Sequence, residues 1–261
     1  MNKPTDIGRL HISFAITAKI CKGYEWVEER LQLLVDCIDH YCQLGNISYE
    51  ILICEHLDEQ NLRRLSLKGA HLRILDLPQT YPNPFEFNMI ESYGKNRCLR
   101  EACGKYTAMI GADQLFPKAF FDFIDSNLVP RTFYRFATYE VGLFPCASKT
   151  VTEILSFCRS HVLRLCNPGC FDPPLTPEKL GQKSGDIMLL DTMSFRSIGG
   201  WPENECFSHV DTATCFVASN LFDVVVPPPA ICSYTFQQNP MMSYRPHSLR
   251  HRLRRRLLHQ M

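Results

Sequence analysis

The 261-residue sequence predicts an α/β protein, a mostly parallel sheet with helices on both faces, and three observations carry that expectation. From His11 to Phe116 the apolar spacing switches between two and three-to-four residues, the alternation of strand and helix that lays successive strands side by side in parallel. Tyr49 to Cys54 is a near-continuous apolar run, as a strand covered on both faces requires. The hydrophobic share of 45% supplies one large core, and no repeat, low-complexity tract or linker divides the chain.

The first strand is His11 to Thr17 (HISFAIT), with Ile12, Phe14 and Ile16 on one face. Trp26 to Cys42 then sets Val27, Leu31, Leu34, Val35, Ile38, Tyr41 and Cys42 along one helical stripe. Tyr49 to Cys54 is the second strand, with Glu55 at its C-terminal end, and Leu72 to Leu77 the third. Asn83 and Pro84 suit the N-cap and first turn of a helix reaching Ala102, whose end is marked by Lys95, Asn96 and Arg97 before Gly104 turns the chain into the strand Tyr106 to Ile110. Asp113 stands where that strand stops, at the edge where open α/β sheets bind ligands.

Beyond it, Pro117 opens a helix carrying Phe120, Phe121 and Ile124, and Thr132 to Val141 reads as one longer strand. A helix from Val151 to Cys166 is drawn through Val151, Ile154, Leu155, Cys158 and Val162. Residues 167–184, rich in Pro and Gly, read as a loop crossing the site and the candidate for a lid. A strand at Ile187 to Leu190, a Gly199-Gly200-Trp201 turn and a helix from about Ser208 complete the pattern.

A net charge of +1 argues against a nucleic-acid binder. Thirteen cysteines without a CxxC pair fit buried free thiols in a reducing compartment better than disulfides or zinc. The N-terminus has no apolar leader core and nowhere do eighteen apolar residues run together, so the chain reads as soluble and cytoplasmic. The tail 248–260 combines Leu249, Leu253, Leu257 and Leu258 with five arginines, a basic amphipathic helix suited to peripheral contact with an anionic membrane or to a partner; a solvated terminus is the alternative.

Several short segments, taken in order, resemble glycosyltransferases of the GT-A fold, of the broad family 2 type of nucleotide-sugar transferases. They are Glu55, the pair Lys95 and Asn96, GADQLF at 111–116, YRFATYEV at 134–141, GDIML at 185–189, IGGW at 198–201 and HVD at 209–211. The resemblance implies a GT-A domain over residues 1–240, with a nucleotide-binding half at 11–116 and a sugar and acceptor half at 117–240, followed by the tail 241–261. It implies a nucleoside-diphosphate sugar as donor, a glycan, lipid-linked or protein acceptor, and Mn or Mg to neutralise the leaving diphosphate.

By the same resemblance Asp113, the last acid of an Asp-x-Asp motif whose first is replaced by Gly111, holds the metal. Thr17, Glu55, Lys95 and Asn96 bind the nucleotide, and Gly185, Asp186, Gly200 and Trp201 the sugar or acceptor. Asp211 is the general base of an inverting transfer, and His209 a further metal or acceptor contact. The residues themselves leave alternatives open. Asp113 suits a turn, Glu55 a solvated loop, Lys95 a solvated helix face, and Trp201 a plug beneath its turn. His209 suits a structural role, and Ser208-x-x-Asp211 has the spacing of a capping box. Similar proteins carry a histidine after the last core strand, whereas 227–240 has none, and His247 or His251 would substitute only by folding back. With Gly111, that keeps a catalytically degenerate nucleotide- or sugar-binding protein as the rival; a nucleotidyltransferase is a third reading, set back by the single glycine in 17–23.

Overall fold

Alternate residues of the first strand feed two separate cores in the computed structural model, which describes residues 10–19, 26–57, 64–77, 91–142, 150–181, 187–203 and 210–236. Ile12, Phe14 and Ile16 of β1 (Ile12–Ala18) enter one cluster, and Ala15 enters the other. The same split recurs in β2 (Tyr49–His56), where Ile51 and Ile53 face one way and Leu52 and Cys54 the other. A strand buried on both faces has no polar side, which is why it reads as a continuous apolar run.

Helix α1 (Trp26–Gly45) covers the first face, and β3 (Leu72–Leu77) extends the sheet beyond β2. Helix α2 (Glu91–Glu101) covers the second face and leads into β4 (Tyr106–Ile110) and the short β5 (Gln114–Leu115). After α3 (Lys118–Ser126) come β6 (Thr132–Arg135), β7 (Ala137–Val141), α4 (Val151–Ser160) and β8 (Val162–Leu165). The remaining elements are α5 (Pro177–Leu180), β9 (Ile187–Asp191), α6 (Thr192–Ser197), α7 (Val210–Leu221), β10 (Asp223–Val225) and β11 (Cys232–Phe236).

Seven strands form the main sheet in the order β10-β6-β9-β4-β1-β2-β3. Its β4-β1-β2-β3 half is wholly parallel, and β9 runs antiparallel between β4 and β6. A second sheet, β5-β11-β7-β8, is mixed. The expected α/β class with a mostly parallel sheet is the one observed. Among the described residues no helix is long and apolar enough to cross a membrane.

Four local expectations are corrected. Thr132 to Val141 is two strands in two different sheets: Tyr134 and Arg135 pair with β9, and Ala137 onward with β11. Phe136 sits at the switch, fully buried against Phe120 and Phe123, so no polar residue interrupts the run where the chain changes sheets. The helix expected to Cys166 ends at Ser160, where the Ser160 hydroxyl bonds back to the carbonyls of Ser156 and Phe157 and the His161 ring stacks on Phe157; Val162 then opens a strand that pairs with β7. The stretch expected as a loop from 167 contains a 3-10 turn, Pro168–Phe171, and α5. Asn167 anchors its start, accepting from the Thr138 amide at 3.0 Å and donating to the Phe136 carbonyl at 2.7 Å. Lys95, Asn96 and Arg97 lie mid-helix in α2 rather than at its end. Asn83, Pro84, Gly185, Asp186, Ser208, His209, His247, His251 and the tail 248–260 lie outside the described residues.

Candidate functional site

The carboxyl ends of β1, β2 and β4 form one edge, and α2 presses against it. Thr17 aligns with Cys54, and a Cβ on Gly94 would fall 2.5 Å from the Thr17 methyl, so only glycine lets α2 lie this close. Glu55, beside Ala18 in the register, is fully buried and not solvated. Its carboxylate accepts from the Leu65 amide at 2.8 Å and from Arg64 Nε at 2.9 Å, pinning the segment that returns to β3.

Two charged centres occupy this edge. In the first, Lys95 of α2 is 4% exposed, and its ammonium sits 2.6 Å from Asp211 Oδ1 and 3.0 Å from Glu91 Oε2. Desolvation pulls the lysine's pKa down, but Glu91 and Asp211 together outweigh it, and the net shift is upward. Asp211, in the first turn of α7, takes a second donor on the same Oδ1, the Trp201 indole N–H at 2.6 Å. Trp201 is 1% exposed, its ring packing 5.2 Å from Phe195 with the Lys95 ammonium 5.8 Å from its centroid, so it plugs the turn.

Asn96 fixes that turn. Its Oδ1 accepts from the Trp201 amide at 2.8 Å, and its Nδ2 donates to the Trp201 carbonyl at 2.7 Å and to Glu203 at 2.9 Å. Gly199 and Gly200 take φ of 80° and 70°, the left-handed region that turns the chain toward Asn96. Gly200 therefore serves close approach: a Cβ there would lie 2.3 Å from Asn96 Oδ1.

In the second centre Asp113 closes the turn after β4, with Thr235 Oγ donating to its Oδ2 at 2.9 Å and Arg30 NH1 at 4.0 Å from the same oxygen. Burial pushes the Asp113 carboxyl up; the Thr235 bond and the Arg30 charge oppose this without cancelling it, and Glu91 adds to it. Glu91, paired with Lys95 while acting on Asp113, links the two centres. Arg30 lies over the Trp26 ring at 4.1 Å and the Phe236 ring at 5.4 Å.

Among the described residues the donor chemistry does not fit the expected Mn or Mg. Among the described residues no three His, Cys, Asp or Glu side chains converge as metal ligands. Asp113 faces a guanidinium and a hydroxyl, Asp211 an ammonium and an indole N–H, and Gly111 offers no side chain.

No family model and no curated protein matches this sequence. Solved structures do match. S. aureus TarS 1–349 in complex with UDP-GlcNAc aligns with a TM-score of 0.52 at 12% identity, covering 90% of this chain and 61% of that one. The same protein in complex with UDP gives 0.51 at 13% identity, covering 88% and 61%. TarS is a GT-A-type glycosyltransferase. The chain has a GT-A fold. It spans about three-fifths of the TarS chain, matching 61% of it.

Within this GT-A edge, Asp113, Lys95, Asn96, Trp201, Asp211, Glu55 and Thr17 all lie among the described residues, and four of them (Lys95, Asn96, Trp201 and Asp211) form one bonded unit. Sequence reasoning missed Arg30, Glu91, Glu203 and Thr235. Arg30 had a signal: it lies three residues after Val27 and four before Leu34, on the apolar stripe of α1, where an exposed arginine does not belong.

Proposed function

We propose that this chain is a glycosyltransferase that moves a sugar from a nucleoside-diphosphate sugar to an acceptor hydroxyl with inversion. The observation that carries the reading is the fixed carboxylate of Asp211. Its side chain is 13% exposed, and both of its donors bond Oδ1. Among the described residues that leaves Oδ2 to receive a proton.

In the reaction the acceptor oxygen attacks the anomeric carbon, the bond from that carbon to the diphosphate oxygen breaks with its electron pair leaving on the diphosphate, and the hydroxyl proton passes to Asp211. Lys95 and Trp201 are positioning residues: both donate to Oδ1 and so fix the orientation of the Asp211 carboxylate. Asn96 and Gly200 fix Trp201 in turn. Thr17, and Glu55 through the 64–65 segment it pins, would shape the nucleotide end. Gly185, Asp186 and His209 keep the sugar, acceptor or metal roles that the resemblance implies, and the structurally similar TarS forms a complex with UDP-GlcNAc.

One observation favours the rival, a binding protein without transfer: the lack of a metal-ligating cluster among the described residues. The test is release of nucleoside diphosphate from UDP-, GDP-, CDP-, ADP- and dTDP-sugars with water as acceptor, alongside donor affinity. We expect slow release from one donor, lowered about a hundredfold or more in Asp211→Asn, the scale of a lost general base, with binding kept. Binding without any release would establish the rival.

A further inference from the structure

We infer that the Arg30 guanidinium stands in for the divalent cation at this edge, so that the chain binds a nucleoside diphosphate without a metal; the inference rests on the nucleotide-sugar reading above. Arg30 lies near Asp113 and near the last described residue before the segment from which the resemblance draws a further metal ligand. On one side is Asp113, whose Oδ2 is 4.0 Å from the guanidinium and already accepts the Thr235 hydroxyl. On the other is Phe236, the last residue of β11, 5.4 Å from the guanidinium carbon. The residues that follow it, 237–240, read QQNP, without the expected histidine.

The guanidinium is also held in place. Its side chain is 8% exposed, and Trp26 and Phe236 supply ring contacts that fix its plane. Such a group is charged at every working pH and presents a planar fork that matches phosphate oxygens. A divalent ion brought to Asp113 would meet a like charge within a few ångströms, whereas a diphosphate arriving at the same edge meets an opposite one. A preorganised cation beside a leaving diphosphate would do the electrostatic work asked of a metal and need no ligand cluster. Asp113 then serves as the anchor that holds Arg30.

The test is calorimetric titration of the full chain with UDP, and with GDP, CDP, ADP and dTDP if UDP is silent, in EDTA and again in Mn²⁺. The expected result is one nucleotide whose Kd is the same within about threefold in both conditions. Arg30→Met should weaken it about tenfold to a hundredfold, the scale of lost charge-assisted hydrogen bonds, with Mn²⁺ giving no recovery and Arg30→Lys recovering part. Because Arg30→Met alone leaves the partly exposed Asp113 without its counter-charge, the pair Arg30→Met with Asp113→Asn removes both charges, and it should lose binding equally while melting cooperatively. A Kd that tightens tenfold or more in Mn²⁺ and loses that gain in Asp113→Asn overturns the inference and leaves the nucleotide reading standing. A folded double variant that binds like the native chain also overturns it. If none of the five binds in either condition, the nucleotide-sugar reading fails and this one falls with it.

Discussion

Replacing Gly200 with alanine should destabilise the protein far more than replacing Gly199, although the two glycines are neighbours with nearly the same backbone. Both have positive φ, 80° and 70°, so either alanine costs about 1–2 kcal/mol of backbone strain. Around Gly199 nothing lies within 4 Å of the added Cβ, so strain is the whole effect. At Gly200 the Cβ falls 2.3 Å from Asn96 Oδ1 and 3.1 Å from a Leu99 methyl. Asn96 has little room to yield, since its amide is bonded to both the Trp201 amide and carbonyl and to Glu203. Displacing it leaves buried polar groups unpaired at about 1–3 kcal/mol. Gly200→Ala should therefore lose about 2–5 kcal/mol in all against about 1–2 for Gly199→Ala. At about 2–4 °C per kcal/mol for a chain of this size, the two melting temperatures should differ by about 2–12 °C. Thermal unfolding followed by circular dichroism reads this directly. The cause is isolated by Asn96→Ala: if the clash is with Asn96, the double variant loses less than the sum of the singles by about 1–3 kcal/mol. Equal melting temperatures for the two glycine variants, or strict additivity with Asn96→Ala, would refute the reasoning.

Two further outcomes follow from the same edge. The Lys95 pKa is raised in the folded state by Glu91 and Asp211 against desolvation, so its pairing contributes stability that is fully present below the unfolded lysine value of about 10.4 and is lost as pH climbs through the higher folded value; the native chain should show a steeper loss of melting temperature above pH 10 than Lys95→Met, and parallel curves there would count against the pairing. Glu55→Gln should cost about 1–3 kcal/mol, because it weakens a buried acceptor serving the Leu65 amide and Arg64, whereas Arg64→Ala, whose side chain is 56% exposed, should cost about 1 kcal/mol or less; urea titration of both variants checks the order, and the reverse order would mean that Glu55 is held by something other than this pair.

How much of this was legible in the sequence depends on the range of each interaction. The strands were legible because their burial is local and periodic: the residues of β1 and β2 alternate between two cores, and both faces are apolar. The breaks were less so. Phe136 continues the apolar run through a change of sheet, and Val162, four residues after Cys158, continues a helical stripe although it is 42% exposed and paired in a strand. At the site, strand-end logic located Glu55 and Asp113, but not their partners. Lys95 meets Asp211 across 116 residues, Asn96 meets Trp201 across 105, and Asp113 meets Thr235 across 122. A polar residue on a helix reads as solvated unless its distant partner is known, which is why Lys95 was open to that reading and Arg30 passed unremarked.

The long-range pairing also changes what the residues mean together. The resemblance gives Lys95 and Asn96 to the nucleotide, Trp201 to the sugar and Asp211 to the proton, as separate tasks. In the fold they form a continuous chain: Asn96 holds the backbone of Trp201, the Trp201 indole and the Lys95 ammonium share Asp211 Oδ1, and Glu91 joins Lys95 while acting on Asp113. Groups coupled this closely act as a unit, and their deletions do not add. A variant at any one of them therefore reports on the orientation of Asp211, and a loss of turnover in Asn96→Ala would not by itself make Asn96 a nucleotide ligand. What separates the roles is affinity measured apart from turnover: a positioning residue lowers release while leaving the nucleotide's Kd in place, and a ligand raises the Kd first.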